Sequence, residues 1–200
     1  MERLVQAELA RITRLVDDLL LLAKAERTQF LRLEPIDLPA YVKELWDGMS
    51  LLADRRFELG PVPAGTLRAD PDRLAQALRN LLSNAIAHTA PSEGLVRLEV
   101  EHGGTDHLWF VVEDDGPGIP SDQRERVFDR FHRTDAARDR ASGGTGLGLA
   151  IVRAIAEAHE GHVVVGHRPE SGTRIELELP RFTASRTREQ NAELAGPTAR

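Results

Sequence analysis

The sequence lacks cysteine, long apolar runs and an excess of positive charge, and each absence excludes a class of function. Without cysteine there is no disulfide bond and no thiolate metal site, which suits a reducing cytoplasm. A net charge of -6 over 200 residues offers no general basic face, so nucleic acid is not an expected partner. Even the longest apolar runs, such as Leu19–Ala23, are far shorter than the about 20 residues that cross a bilayer, and nothing at Met1 resembles a signal peptide. We therefore expect a soluble, cytoplasmic segment without membrane contact of its own.

Residues 2–26 contain no glycine or proline and carry an apolar stripe at helical spacing. Its seam is Ile12, Leu15, Leu19 and Leu22, widened by Val5, Val16, Leu20 and Ala23. Because one helix cannot bury this stripe alone, residues 1–27 are predicted to form a helix of a bundle or dimer. The alternative is an amphipathic helix folded back on its own domain. Residues 28–36 are predicted to be a linker.

Helix and strand signals fill residues 37–180, which are predicted to form one main domain. Helices are predicted to begin at Asp37 and at Asp70-Pro71, the latter reaching His88, and to cover Ser121–Phe128 and Leu147–His159, with Gly161 as the stop. Strands are predicted at 57–59, 66–69, 95–101, 108–112, 162–167 and 173–179. This order favours a layered α/β sandwich, in which a mixed, largely antiparallel sheet packs on helices, over a doubly wound parallel sheet. Residues 132–143 are predicted to be a loop, and residues 181–200 a disordered tail.

The first candidate site residues are Asn80, Asn84 and His88, which are four apart and share one helix face. Asparagine is a mediocre helix former, so two of them are costly unless they bind something. An amide oxygen is a suitable ligand for a hard cation such as magnesium. Surface asparagines without a ligand are the alternative.

The second candidate is the run from Asp114 to Ile119, in which a buried strand ends in acid and then glycine. A carboxylate at a strand end can accept a hydrogen bond from an exocyclic amine, and Gly116 and Gly118 would let a flat ring approach the backbone. An ordinary Asp-Gly turn is the alternative.

The third candidate is a glycine run that opens directly into a helix, namely Gly144, Thr145, Gly146, Leu147, Gly148 and Leu149. Backbone N–H groups at a helix start bind phosphate, and glycine permits the close approach. The spacing is neither that of G-x-G-x-x-G nor that of a Walker loop. A flexible hinge is the alternative.

Taken in order, Asn84, Asp114-x-Gly116-x-Gly118, Phe128-Asp129-Arg130-Phe131 and Gly144–Leu149 resemble the N box, first glycine box, F box and second glycine box of sensor histidine kinases. The resemblance implies the Bergerat α/β sandwich that is shared with gyrase-type ATPases. It implies ATP and Mg²⁺ as cofactors, with Asn84 on the metal, Asp114 on the adenine amine beside Gly116, Gly118 and Ile119, and the second glycine run on the phosphates. Residues 132–143 would form the lid, which Arg130 and Arg133 beside Phe131 would anchor. Catalytic contributions are expected from Asn84, Asn80 and Arg130, and nucleotide contacts also from His88.

The leading helix resembles the second helix of the dimerisation and phosphotransfer bundle of this family. The resemblance implies a homodimer through residues 1–27, a response regulator as a partner, and a parent protein that can be anchored in the inner membrane. The family's acceptor motif H-E-x-x-R does not occur in this sequence, and His159-Glu160 is expected to be structural. The acceptor helix would therefore belong to another part of the parent protein or to a partner kinase.

Two positions depart from the family pattern. Ala87 stands where Lys or Arg is frequent, and Asp115 where Asn or Thr is frequent. Two alternative functions are a Bergerat-fold ATPase or anti-sigma serine kinase, and a truncated, non-catalytic ATP-binding regulator. The enzymes of the first alternative characteristically carry a glutamate base at the position of Asn80, which disfavours them here.

Overall fold

Two sheets and four helices make up the parts of the chain that the computed structural model describes, which are residues 2–25, 30–132, 145–167 and 171–185. The helices are α1 (Glu2–Ala25), α2 (Leu38–Ser50), α3 (Pro71–His88) and α4 (Gly148–Ala158). The strands are β1 (Glu34–Asp37), β2 (Arg56–Leu59), β3 (Gly65–Ala69), β4 (Leu95–His102), β5 (Leu108–Asp114), β6 (His162–Val165), β7 (Thr173–Leu179) and β8 (Phe182–Ala184). None of these helices is both long and apolar enough to cross a membrane.

The main sheet has the strand order β2-β4-β5-β7-β6, with β2 parallel to β4 and every other pair antiparallel. A smaller antiparallel sheet has the order β1-β3-β8. The predicted sandwich with a mixed, largely antiparallel sheet is confirmed. Because β5 is the central strand, its last residue, Asp114, lies between Val96 and Thr173 on the neighbouring strands.

Helices α3 and α4 cover one face of the main sheet, where alternate residues of the strands are buried. Phe110 and Leu177 point into this core, together with the leucines of α3 and the isoleucines of α4. Alternation of buried and exposed residues is what a sheet with one covered face requires. The core therefore fixes α3 and α4, which carry the candidate residues, against the sheet.

Both predicted helix starts are confirmed by their capping bonds. The Asp37 side chain accepts a hydrogen bond from the N–H of Ala40 at the start of α2. The Asp70 side chain accepts one from the N–H of Arg73 at the start of α3, and Pro71 occupies the first helical position. These caps satisfy N–H groups that no helical carbonyl can reach.

Three expectations from the sequence need correction. Residues 121–128 form two 3₁₀ turns, Ser121–Gln123 and Arg126–Phe128, because Ser121 does not cap a helix and only Val127 and Phe128 are buried there. The left-handed residue after α4 is Glu160, with φ 63°, and not Gly161. The tail begins later than residue 181, because β8 pairs with β3 and buries Phe182.

Among the α1 side chains that the structure describes, the apolar stripe is buried at the C-terminal end and partly covered at Leu15. Leu21 and Leu22 are buried against the rest of the domain, where α1 contacts α4. On the N-terminal side of this pair, large apolar side chains are exposed: Val5, Leu9, Ile12, Val16, Leu19 and Leu20. Assignment of residues 1–27 to a bundle stays a prediction, and this exposed stripe supports it.

Candidate functional site

The amide face of α3 lies against the start of α4. The Asn80 side-chain Nδ2 donates a hydrogen bond of 3.2 Å to the carbonyl oxygen of Gly148. Asn84 and His88 follow on the next turns of α3, and both side chains are half-buried. The first and third candidate motifs, far apart in sequence, are therefore in direct contact.

Asp114 at the end of β5 is 3% exposed and is oriented by its own turn. Its Oδ1 accepts a hydrogen bond of 2.9 Å from the N–H of Gly116. A methyl group built on Gly116 would lie only 2.6 Å from the carbonyl oxygen of His88. This close approach, possible for glycine alone, brings the strand-end carboxylate beside the C-terminal end of α3.

The neighbouring residues of the first glycine run are placed by the same turn. Gly118 has a φ of 78°, which favours glycine, and lies against the carbonyl of Gly172. Ile119 is partly buried against the core. Asp115, which departs from the family pattern, accepts a hydrogen bond of 2.9 Å from the N–H of Leu95 and thereby fixes the start of β4. Asp115 thus stabilises the start of a strand, although it departs from the family pattern.

The second glycine run is described from Thr145 onwards. The N–H of Phe131 donates to the carbonyl oxygen of Gly146 at 3.0 Å, which joins the end of the F box to the glycine run. Gly146 has a φ of 72°, and a methyl group there would meet the Phe131 carbonyl carbon at 2.9 Å. Thr145 Oγ1 accepts from the N–H of Leu147, and Leu147 is fully buried. Leu149 packs against the core, and α4 starts without a capping side chain.

The basic residues of the predicted lid are placed only in part. Gly144, Arg133 and all of residues 132–143 except His132 lie outside the described residues. Arg130 is exposed and lines a cavity of about 210 Å³ at the junction of α1 and α4, beside Leu22 and Phe128. Phe131 is 59% exposed with a φ of 62°. The structure therefore brings Phe131 to the second glycine run and places Arg130 at the helix junction.

A second groove, of about 450 Å³, lies between α2 and α3 and is lined by none of the predicted site residues that the structure describes. Tyr41, Leu45, Met49 and Arg79 are among the residues that line it. Burial raises the pKa of Tyr41 well above its usual range, and the Tyr41 hydroxyl donates to the carbonyl of Pro71. This groove is separate from the face of α3 that meets Gly148.

Metal binding at this site would depend on amide rather than carboxylate or imidazole ligands. Within the described ranges, no group of at least three His, Cys, Asp or Glu side chains is arranged to hold a metal ion. The half-buried amide of Asn84 fits a magnesium ion that takes its remaining ligands from phosphate oxygens and water.

Sequence reasoning missed Arg55, which holds the end of α3. Its Nε donates to Thr89 Oγ1 at 3.0 Å, and its Nη2 donates to the Ile86 carbonyl oxygen at 3.1 Å. A guanidinium satisfies carbonyl groups that have no helical partner at a helix end. No local pattern could have revealed this contact, because Arg55 and Thr89 are 34 residues apart.

Comparison with known proteins agrees with this arrangement. The family model described as histidine kinase-, DNA gyrase B-, and HSP90-like ATPase matches residues 69–183. The probable sensor histidine kinase TcrY of Mycobacterium tuberculosis is 40% identical over 179 residues, which cover 88% of this chain and 37% of TcrY. The chain thus spans well under half the length of the first curated relatives that it matches.

Solved structures give the same result at the level of the fold. The mycobacterial sensor histidine kinase MprB is similar with a TM-score of 0.68 at 30% identity, over 76% of this chain and 100% of that one. Full-length ShkA in complex with AMPPNP is similar with a TM-score of 0.71 at 30% identity, over 88% of this chain and 37% of that one. The chain belongs to the histidine kinase-, DNA gyrase B- and HSP90-like ATPase family, and it contains the catalytic ATP-binding domain of a two-component sensor histidine kinase.

Proposed function

We propose that this chain binds ATP together with Mg²⁺ and presents the γ-phosphate to a histidine that lies outside it. The observation that carries the proposal is the pair of contacts that unites the three motifs. Asn80 reaches the Gly148 carbonyl, and Gly116 lies against the end of α3 at His88. One nucleotide can therefore span the amide face, the strand-end carboxylate and the glycine-lined helix start.

The adenine end of the nucleotide would be recognised at Asp114. Its Oδ1 is held by the Gly116 N–H, so the buried carboxylate has a fixed orientation for accepting from the exocyclic amine. Gly116 and Gly118 let the turn beside it pack against the carbonyls of His88 and Gly172, and the flat base is proposed to lie along this turn. Ile119 supplies an apolar neighbour.

The phosphate end would lie at the start of α4. The N-cap residue, Leu147, has no side chain that could bond its first N–H groups, and a methyl group on Gly148 would meet no atom closer than 3.8 Å. Helix N-termini attract phosphate through these N–H groups and through the helix dipole. Gly144 and Arg133 complete the proposed phosphate contacts, and Arg130 is proposed to anchor the lid.

Asn84 would hold the magnesium ion through its amide oxygen, and His88 would contact the nucleotide from the next turn. When bound, the metal would neutralise phosphate charge. The chain's own residues would position the reactants: Asn80 fixes the start of α4, and Asp114 fixes the base. Positioning of this kind supplies much of the rate in phosphoryl transfer.

The reaction we propose transfers the γ-phosphoryl group to an imidazole nitrogen and releases ADP. The acceptor helix would come from the same parent protein or from a partner kinase, and a response regulator would receive the phosphoryl group next. Exposed apolar residues on α1, such as Leu9 and Val16, support a homodimer through residues 1–27. A base-catalysed ATPase or serine kinase is disfavoured, because the amide of Asn80 is not a general base and its Nδ2 is engaged with Gly148.

Binding of a fluorescent ATP analogue, with and without Mg²⁺, tests the site. Asn84→Ala and Asp114→Asn each remove one bond that involves a charged partner, worth about 1.5–3 kcal/mol, so affinity should fall about 10- to 150-fold. Ser83→Ala, on the exposed side of the same helix, and Asp47→Asn, on α2, are matched controls that should bind normally. Unchanged affinity in both site variants would refute the assignment.

Labelling with γ-labelled ATP tests the transfer step. The chain alone should acquire no acid-labile phosphate, whereas a separately supplied helical domain with an H-E-x-x-R motif should acquire it. Robust labelling of the chain itself would show that it contains an acceptor that the sequence did not reveal.

A further inference from the structure

The two helices that carry the proposed nucleotide site are tied together at both ends of α4. Near the site, Asn80 of α3 bonds the carbonyl of Gly148 at the start of α4. At the opposite end, His159, just after α4, bonds Asp70, just before α3. The helices therefore pack antiparallel, with one polar bond fixing each end of α4 to the first half of α3.

The far bond depends on a histidine that is only 1% exposed. Its Nε2 accepts from the backbone N–H of Asp70 at 3.0 Å, and its Nδ1 lies 2.8 Å from the carbonyl oxygen of Ile155. Because a backbone N–H can only donate and a carbonyl can only accept, the ring must carry its proton on Nδ1 and be neutral. His159 therefore has a defined tautomer and two defined partners.

Asp70 also connects this pair to the segment that follows α1. Its Oδ1 accepts from the N–H of Arg73 in the first turn of α3, and its Oδ2 accepts from the N–H of Arg32 at 2.8 Å. In addition, the Arg73 guanidinium lies 5.1 Å from the centre of the Phe30 ring. One buried aspartate thus joins the linker and α3 through its carboxylate, and the end of α4 through its backbone N–H.

We propose that His159 and Asp70 are positioning residues. They set the orientation of α3 and α4 for nucleotide binding, and they couple this orientation to the docking of the linker at Arg32. The proposal rests on the proposed function, because it needs a nucleotide at Asn84. Asn84 lies 14 residues beyond Asp70, or about 21 Å along the helix. At that distance, a tilt of α3 by about 3° about its start moves Asn84 by about 1 Å, which is enough to impair a site that depends on exact positions.

Two conservative variants of His159 separate the two hydrogen bonds of the ring. In His159→Gln, the side-chain amide oxygen is the same number of bonds from Cα as Nε2 of histidine. It can therefore still accept from the N–H of Asp70. In His159→Asn, the side-chain amide nitrogen is the same number of bonds from Cα as Nδ1 of histidine. It can therefore still donate to the Ile155 carbonyl, but the side chain cannot reach Asp70. If His159 only closed the end of α4, His159→Asn would keep the wild-type properties better than His159→Gln. The proposed role predicts the reverse.

The measurements are affinity for the fluorescent ATP analogue and hydrogen exchange of the Arg32 amide. His159→Asn should weaken nucleotide affinity about 3- to 10-fold, the effect of one lost hydrogen bond, and should speed exchange at Arg32. His159→Gln should retain most of both properties, and nucleotide should slow exchange at Arg32 in the wild type. Val100→Ala, a core truncation in β4, controls for simple destabilisation and should leave affinity unchanged in the folded protein.

Each outcome decides the question. Equal affinity for His159→Asn, His159→Gln and the wild type would overturn the positioning role, as would equal weakening by Val100→Ala. Failure of the wild type to bind nucleotide would instead refute the proposed function and this inference with it. Nucleotide binding that depends on Asn84 but not on His159 would refute the inference alone.

Discussion

Replacing Gly116 by alanine is expected to weaken nucleotide binding much more than it weakens the fold. The added methyl group would lie 2.6 Å from the His88 carbonyl oxygen and 2.8 Å from Asp114 Oδ1. Ordinary contacts between carbon and a carbonyl oxygen are about 3.3 Å long, so the turn and the end of α3 must separate by about 0.7 Å. This movement separates Asp114, which we place on the adenine, from the end of α3, where we place His88 on the same nucleotide.

The magnitude follows from the usual cost of overpacking, about 1–3 kcal/mol. If nucleotide binding must restore the close approach, the dissociation constant should rise about 5- to 150-fold. The assay is titration with the fluorescent ATP analogue in the presence of Mg²⁺, with circular dichroism to confirm the fold. Gly48→Ala is the matched control, because nothing lies within 4 Å of the methyl group it adds. A folded Gly116→Ala variant whose affinity stays within twofold of the wild type would refute the reasoning.

Three further predictions concern stability. Gly48→Ala in α2 should stabilise the domain by up to about 1 kcal/mol and raise Tm by about 2–4 °C, since alanine is the better helix former; an unchanged or lower Tm would contradict this. Phe182→Ala should cost about 3–5 kcal/mol in urea unfolding, because the ring is buried against Gly65 of the neighbouring strand β3; a loss below about 1 kcal/mol would mean that β8 is not part of the core. Burial lowers the pKa of His159, although Asp70 opposes the shift while Arg181 adds to it. Below about pH 6.5 the unfolded imidazole binds more protons than the folded one, so stability should fall on acidification, and the slope should be smaller in His159→Gln.

Local signals accounted for most of the elements. The Asp70-Pro71 start and the leucine pattern gave α3 its bounds, and alternation of apolar residues indicated β4, while the apolar run at 108–112 indicated β5. The sequence failed where structure depends on distant partners. Phe182 looks like an isolated aromatic until Leu67, far away in the sequence, is seen to pair with it. Likewise, β2 and β3 follow each other closely in the chain but enter different sheets.

In the candidate site, too, local sequence signals revealed some features and distant contacts decided the others. Each motif had an ordinary alternative explanation when taken alone, and their order alone suggested a shared nucleotide. Contacts such as Asn80 with Gly148 are long-range and leave no periodic trace in the sequence. The role of Arg55 at the C-terminal end of α3, and the bonds of Asp70 to Arg32 and His159 beyond its predicted cap, were equally invisible, because these partners are set by the packing of the whole domain. Motifs therefore identify chemical groups, and tertiary contacts decide which of them meet.

The most direct test of a single shared site is paramagnetic NMR with Mn²⁺ in place of Mg²⁺. Addition of the ATP analogue with Mn²⁺ should broaden the resonances of Asn84, Gly116 and Gly146 together, and Asn84→Ala should remove the effect. If these resonances stay sharp while those of residues beside the groove of α2 and α3, such as Gly48, are broadened, the nucleotide binds elsewhere and the account is wrong.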